Sequence, residues 1–231
     1  DLKNRSGESA VIASRVLRTW GASESGLAEA LATRFDELEA RGDITIAYLA
    51  SGIEGIKVRL TARGSDALHA EALLAEEEVT VRHIINDRYG DVIFGVDDET
   101  MEDAIASRLI ARGLTLGIAE SLTGGLISSR LVNIPGASSW YRGCVVSYAS
   151  EVKFDVLNVT RGPVVSASAA IEMAQGARHV LKSDVGLGIT GVAGPSEQDG
   201  HVPGTVFVGW SLGDDTGSVE LRLPGDRPRV R

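Results

Sequence analysis

The stretch Glu120–Lys153, ESLTGGLISSRLVNIPGASSWYRGCVVSYASEVK, decides how the rest of the chain is read. It follows Leu114–Ala119, an apolar run with the length of a buried strand. The run stops at Glu120-Ser121, turns through Thr123-Gly124-Gly125, and resumes as Leu126-Ile127 and Leu131-Val132, spaced like one helix face. A strand that turns through small residues into a helix aims free backbone N–H groups at whatever occupies the turn, and such donors suit a phosphate or a developing oxyanion. Ser121 stands at the turn, with Tyr148 and Lys153 downstream in VSYASEVK. A serine needs a base to act as nucleophile, and a lysine whose pKa is depressed by burial supplies one without histidine. Each residue also has a plainer reading: Ser121 as a helix cap, Tyr148 as a strand residue, Lys153 as a solvated helix lysine. Their proximity to one turn sets the chemical reading apart.

Downstream, Asn133–Ser139 is a loop with strong breakers, Gly143–Tyr148 a second buried strand, and Ser150–Leu157 a short helix opening on a good cap. Ala167–Leu181 has the spacing of a packed helix. Val185–Thr190 is a strand that runs into Gly191-Val192-Ala193-Gly194-Pro195 and a polar loop as far as Gly204. Thr205–Leu212 and Ser218–Leu223 alternate as a terminal hairpin. Strands interleaved with helices predict a mixed three-layer α/β sheet, with ligands beyond the carboxyl ends of the strands. Thr123, Gly124 and Gly125 are candidate anion or oxyanion donors, and Gly191 and Gly194 let a ligand approach the backbone. Arg142 and Arg227 are the candidate cations for a phosphate, and Glu120 is grouped with the substrate-binding residues. His201 is given no role, and Cys144 reads as a small core residue.

Upstream, Val11–Trp20 reads as a strand and Ser23 as the cap of a helix carrying Leu27, Leu31, Phe35 and Leu38 on one face. Ile44–Tyr48 and Ile56–Leu60 alternate as strands, Ser65–Ile85 is a helix, and Asp91–Phe94 a short strand. That order predicts a small α+β (KH-like) sandwich over residues 1–97, a scaffold or spacer, with Asp1–Ala10 as a linker. Gly52-Ile53-Glu54-Gly55 has the spacing of a nucleic-acid GxxG clamp but lies between two strands, where a hairpin connection is the better reading. Acidic residues near Asp97–Thr100 cap a helix from Met101 to Arg112 and open the second domain, residues 98–231.

The chain has 231 residues, 43% hydrophobic and 24% charged, with a net charge of −9. That charge argues against a general nucleic-acid binder, since phosphates need an excess of lysine and arginine. One cysteine precludes an internal disulfide and fits a reducing compartment. No apolar run reaches membrane-spanning length and no signal peptide is visible, so a cytoplasmic location is expected. The chain begins on Asp and ends on PGDRPRVR without a closing helix, as an excerpt of a longer protein would.

ESLTGG, GCVVSYASEVK and GITGVAGPSEQDGHVPGTV, in that order, resemble the C-terminal domain of the competence/damage-inducible CinA family over roughly Asp98–Arg227. TWGASESGLAEAL, ASGIEGIKVRL and FGVDDETMEDAI resemble that family's middle domain. The resemblance implies hydrolysis of the carboxamide of nicotinamide mononucleotide (NMN) to nicotinic acid mononucleotide and ammonia, with Ser121, Tyr148 and Lys153 at the family's catalytic positions. It implies no metal or organic cofactor. A small-molecule substrate and a homo-oligomer are expected, with no nucleic-acid or membrane partner. The alternative is a non-catalytic nucleotide-binding or regulatory module in competence or DNA damage. A short-chain Tyr/Lys oxidoreductase would need a glycine-rich dinucleotide fingerprint after an early strand, and the chain is read as having no GxGxxG.

Overall fold

A computed structural model describes residues 10–50 and 52–231; the expected linker over Asp1–Ala10 lies almost wholly outside them. The chain divides into two units, Asp1–Ala104 and Ile105–Arg231.

The first unit has the order β1 (Val11–Thr19), α1 (Glu24–Ala30), α2 (Ala32–Arg41), β2 (Ile44–Ala50), β3 (Ile56–Gly64), α3 (Ala67–Tyr89) and β4 (Ile93–Val96). Its strands form one antiparallel sheet in the order β2-β3-β1-β4. Val58, Leu60 and Ala62 alternate inward along β3 to meet Leu27, Leu31 and Leu38 from α1 and α2 and Leu74, Val81 and Ile85 from α3. One face of the sheet and all three helices therefore share one core. Ser23 caps α1 as expected, by accepting the Gly26 N–H. The single helix expected there is two: Leu31 ends α1 and begins α2, and Phe35 falls outside the buried row. Gly52–Glu54 forms a 3-10 turn inside the β2–β3 hairpin, the connection its turn chemistry suggests.

The division between units falls inside α4 (Met101–Arg112). Thr100 and Asp103 cap this helix reciprocally, each side chain accepting the other's backbone N–H, at 2.9 and 3.1 Å.

The second unit continues with β5 (Leu116–Glu120), α5 (Leu126–Leu131), β6 (Tyr141–Val146), α6 (Ser150–Leu157), α7 (Ala167–Leu181), β7 (Val185–Gly191), β8 (Thr205–Leu212), β9 (Asp215–Arg222) and α8 (Arg227–Val230). The sheet order is β6-β5-β7-β8-β9, parallel through the first three strands and antiparallel beyond. Leu116 and Ile118 point to one face, packed with Leu131 and Val230; Ala119 points to the other, packed with Leu157 of α6 and Met173 of α7. This is the expected mixed three-layer arrangement. Two local expectations fail. The chain does close on a short helix, α8, capped by Asp226, and α6 is capped by no side chain because Ser150 is already its first residue.

Contrary to the expectation of no GxGxxG, Gly186-Leu187-Gly188-Ile189-Thr190-Gly191 carries that spacing, yet it lies along β7 rather than at a strand-to-helix turn. A Cβ on Gly186 would stand 2.0 Å from Ala174 O, and one on Gly188 2.3 Å from Ala170 O. These glycines let α7 lie directly on the sheet, a packing duty rather than a phosphate one.

Candidate active site

The connectivity creates the site. β5 passes to β6 on one side through α5, and β6 passes to β7 on the other side of β5 through α6 and α7. The two crossovers diverge at β5 and leave a crevice beyond the carboxyl ends of the three parallel strands, the place where open α/β sheets bind ligands. Ser121 is the first residue past β5, its N–H anchored on Ile189 O at 2.9 Å. A pocket of about 140 Å³ opens there, and Ser121, Tyr148, Lys153, Gly191, Gly194 and Arg227 all line it. Six of the sequence candidates are thus brought to one place.

Lys153 is 1% exposed, among the largest fully buried side chains. It projects from the first turn of α6, and its Nζ donates to Ser147 O at 2.6 Å and Tyr148 O at 3.4 Å. Neither acceptor carries a charge. Burial therefore pulls the ammonium pKa below the usual lysine value, and the charge of Glu151 opposes this only in part. Tyr148 is 57% exposed, at the pocket mouth, and its hydroxyl accepts a hydrogen bond from Arg227 Nη2. Arg227 also donates through Nη1 to Gly194 O at 2.8 Å, joining the tyrosine to the loop after β7. No direct side-chain hydrogen bond links Ser121, Tyr148 and Lys153 among the described residues.

The remaining candidates stand elsewhere. Glu120 is completely buried and serves the fold of the turn: Oε2 accepts the N–H of Gly125 at 2.9 Å and of Ile127 at 3.3 Å, and Oε1 accepts the Ser128 N–H at 2.8 Å and hydroxyl at 2.6 Å. Burial disfavours its charge, but the donors at the start of α5, Ser128 foremost, outweigh it and hold the carboxyl below the usual range. This corrects the substrate-binding reading of Glu120. It also corrects the oxyanion reading of Gly124 and Gly125, whose N–H groups are spent on Ser121 O, at 3.1 Å, and on Glu120. Their positive φ values, 61° and 96°, are what the turn needs from them. Thr123 is buried beside them, outside the pocket lining. Arg142 is the second residue of β6, at the opposite end of the strand from the pocket, where its charge acts on Asp184. It is too far from the strand ends to hold a phosphate there.

Sequence reasoning missed several residues. Arg231 donates from Nε to Leu122 O at 2.9 Å and so braces the residue after Ser121. Asp199 accepts the N–H groups of Val164 and Val165 at 2.8 and 2.9 Å, and both valines line the pocket. Nothing local marks either residue, because each acts across a long sequence separation. Cys144 is half-buried in β6 with its thiol pKa raised by burial, in keeping with a packing residue. No helix among the described residues is long and apolar enough to cross a membrane.

The family model for the CinA C-terminal domain matches residues 98–231, and that for the damage-inducible protein CinA KH domain matches residues 14–95. In the latter range α1 and α2 meet through Leu31, and the GxxG lies in the β2–β3 hairpin rather than between helices. A CinA-like protein of Frankia casuarinae is 44% identical over 236 residues, covering 100% of this chain and 53% of its own length. The chain spans about half the length of the curated relatives it matches. The crystal structure of a CinA superfamily protein from Enterobacter cloacae aligns with TM-score 0.55 and 34% identity over 57% of this chain and 81% of that one. Another from Escherichia coli aligns with TM-score 0.55 and 33% identity over 58% and 83%. Two adjoining family models and a relative matched along the whole of this chain agree: this chain belongs to the CinA family.

Proposed function

We propose that the second unit is an amide hydrolase that releases ammonia from the carboxamide of NMN, with Ser121 as nucleophile and Lys153 as base. The observation that carries the reading is Lys153: fully buried, hydrogen-bonded among the described residues only to carbonyl oxygens, and lining the same pocket as Ser121. A lysine kept only for its charge is expected at the surface or beside a carboxylate. One held among carbonyls and depressed in pKa is suited to take a proton. The cationic pyridinium of NMN lowers it further when bound.

In this scheme Ser121 Oγ gives its proton toward Lys153 and attacks the carboxamide carbon. The negative charge that develops on the carboxamide oxygen needs N–H donors. Gly124 and Gly125 have none to spare. The Leu122 N–H, one residue past the nucleophile on a residue lining the pocket, has no acceptor among the described residues, so we assign it this role. Lys153 then returns the proton to the departing nitrogen, ammonia leaves, and water releases nicotinic acid mononucleotide. Tyr148, at a catalytic position by the resemblance, is given a binding role instead because its exposed hydroxyl pairs with Arg227: the two bind the substrate phosphate at the mouth, with the Gly191–Gly194 loop as the opposing wall. Neither organic cofactor nor metal has a part in the scheme. The test is direct: the purified chain is incubated with NMN, and ammonia and nicotinic acid mononucleotide are quantified. Equal yields of both support the reading, and binding of NMN without turnover favours the regulatory module.

A further inference from the structure

Ser147 has not entered the scheme. Its side chain is completely buried, and its Oγ has no hydrogen-bond partner among the described residues. A buried hydroxyl in that state weakens a fold, so its position calls for an explanation.

The ladder between β5 and β6 ends on the pair Glu120–Val146, and Ser147 extends it by donating its N–H to Glu120 O at 2.9 Å. One residue further in the same register, Ser147 falls beside Ser121. On the other flank the ladder between β5 and β7 ends on Glu120–Ile189, and Thr190 falls beside Ser121. Three hydroxyl-bearing residues, Ser147, Ser121 and Thr190, thus lie side by side in register across the ends of three parallel strands, with neighbouring strands about 4.8 Å apart. All three continue the alternation that turns Val145, Ala119 and Gly188 toward the α6 and α7 face. Lys153 reaches the row from α6, with Nζ 2.6 Å from the carbonyl oxygen of Ser147 itself.

Two other hydroxyls that line the pocket already have partners. Thr190 Oγ1 donates to Val164 O at 2.7 Å, and the Tyr148 hydroxyl is taken by Arg227. Ser147 Oγ is fully buried and has no partner among the described residues, beside Ser121 in register and on the residue that holds the lysine.

We propose that Ser147 is a further catalytic residue, passing the proton between Ser121 Oγ and Lys153 Nζ; this rests on the hydrolase reading above. As Ser121 Oγ bonds to the carboxamide carbon and the C=O π pair moves onto oxygen, the Ser121 proton passes to Ser147 Oγ. The Ser147 proton passes in turn to the lone pair of Lys153. The hydroxyl is regenerated and one proton is transferred. In the reverse sense the Lys153 ammonium protonates the amide nitrogen through Ser147, the C–N bond breaks, and ammonia leaves. The missing hydrogen bond in the resting structure is then the mark of a group whose partners form during reaction.

The experiment compares the wild-type chain with Ser147→Ala by three readouts: labelling of Ser121 by diisopropyl fluorophosphate followed by peptide mass spectrometry, kcat and KM for NMN, and the melting temperature. The alanine variant should label Ser121 more slowly and turn over NMN more slowly, each by about ten- to a hundredfold, as befits part of a general acid–base route. KM should be unchanged and the melting temperature equal or higher, because the lost hydroxyl had no partner. Equal labelling rates in the two proteins would overturn the role of Ser147 while leaving Ser121 as the nucleophile. A lower melting temperature accompanying the activity loss would make Ser147 a packing residue instead. A wild-type chain that is not labelled at Ser121 and does not turn over NMN would remove the hydrolase reading, and the proton route with it.

Discussion

In the proposed scheme Lys153 is where the chemistry and the stability of this unit meet, and replacing it by Met and by Arg separates the two. Met retains most of the apolar stem within the space that Lys153 fills at 1% exposure, and removes the basic nitrogen. Losing a general base typically costs about two to four orders of magnitude in rate. Substrate affinity should survive in Lys153→Met, since Arg227 and Tyr148 hold the phosphate in the scheme. Arg cannot give up its proton near neutral pH, so Lys153→Arg should be equally inactive. Its stability should differ: an uncompensated buried charge costs about 3–5 kcal/mol, whereas the methionine variant buries none. Stability against pH gives a second readout. Because the folded-state pKa of Lys153 lies below the ordinary lysine value of 10.5, the unfolded chain binds the proton more tightly between those two values. Wild-type stability should therefore rise with pH across that window and level off below it, and Lys153→Met should lack this component. Ammonia release from NMN, NMN binding by calorimetry, and thermal melts from neutral to alkaline pH make the test. Near-wild-type turnover by Lys153→Arg would refute the base, and a methionine variant with the same alkaline slope as the wild type would refute the depressed pKa.

Glu120→Gln should leave the fold in place but destabilise it by about 1–3 kcal/mol, since the amide presents one acceptor oxygen where the carboxylate presents two to four buried donors. The carboxylate's contribution is present above its unfolded value of 4.5 and is lost as pH falls through the depressed folded value, so the variant's acid denaturation limb should be flatter. Gly188→Ala places a Cβ 2.3 Å from Ala170 O and should destabilise by about 1–3 kcal/mol or more as α7 is pushed off the sheet, measured by urea denaturation. Arg227→Ala should raise KM for NMN while leaving the labelling of Ser121 by diisopropyl fluorophosphate near the wild-type rate, because Arg227 touches Tyr148 and Gly194 but not the serine.

The sequence was most legible where a pattern is local. The strand–turn–helix around Ser121 and the VSYASEVK run put Ser121 and Lys153 near one strand end because side-chain period and turn chemistry are properties of neighbours. The alternation of β3 gave the sandwich of the first unit for the same reason. What stayed hidden depends on pairing. Arg142 looks as suitable a cation as Arg227 until the parallel register of β6 with β5 sends it to the far end of the sheet. Glu120 looks like a site carboxylate until the return of α5 surrounds it with N–H groups. Leu31 has the spacing of a continuous helix but sits where two helices meet over the core, and packing there overrides the period. The 2.9 Å contact from Arg231 to Leu122 joins residues 109 positions apart, which no local signal encodes.

The measurement that tests the account most directly is trapping of the intermediate. The chain is mixed with NMN, quenched in acid during turnover, and digested for mass spectrometry. The account predicts an ester of the pyridine nucleotide on Ser121, no adduct in Ser121→Ala, and no ammonia from that variant. Ammonia released by Ser121→Ala at the wild-type rate, with no adduct in either protein, would contradict it.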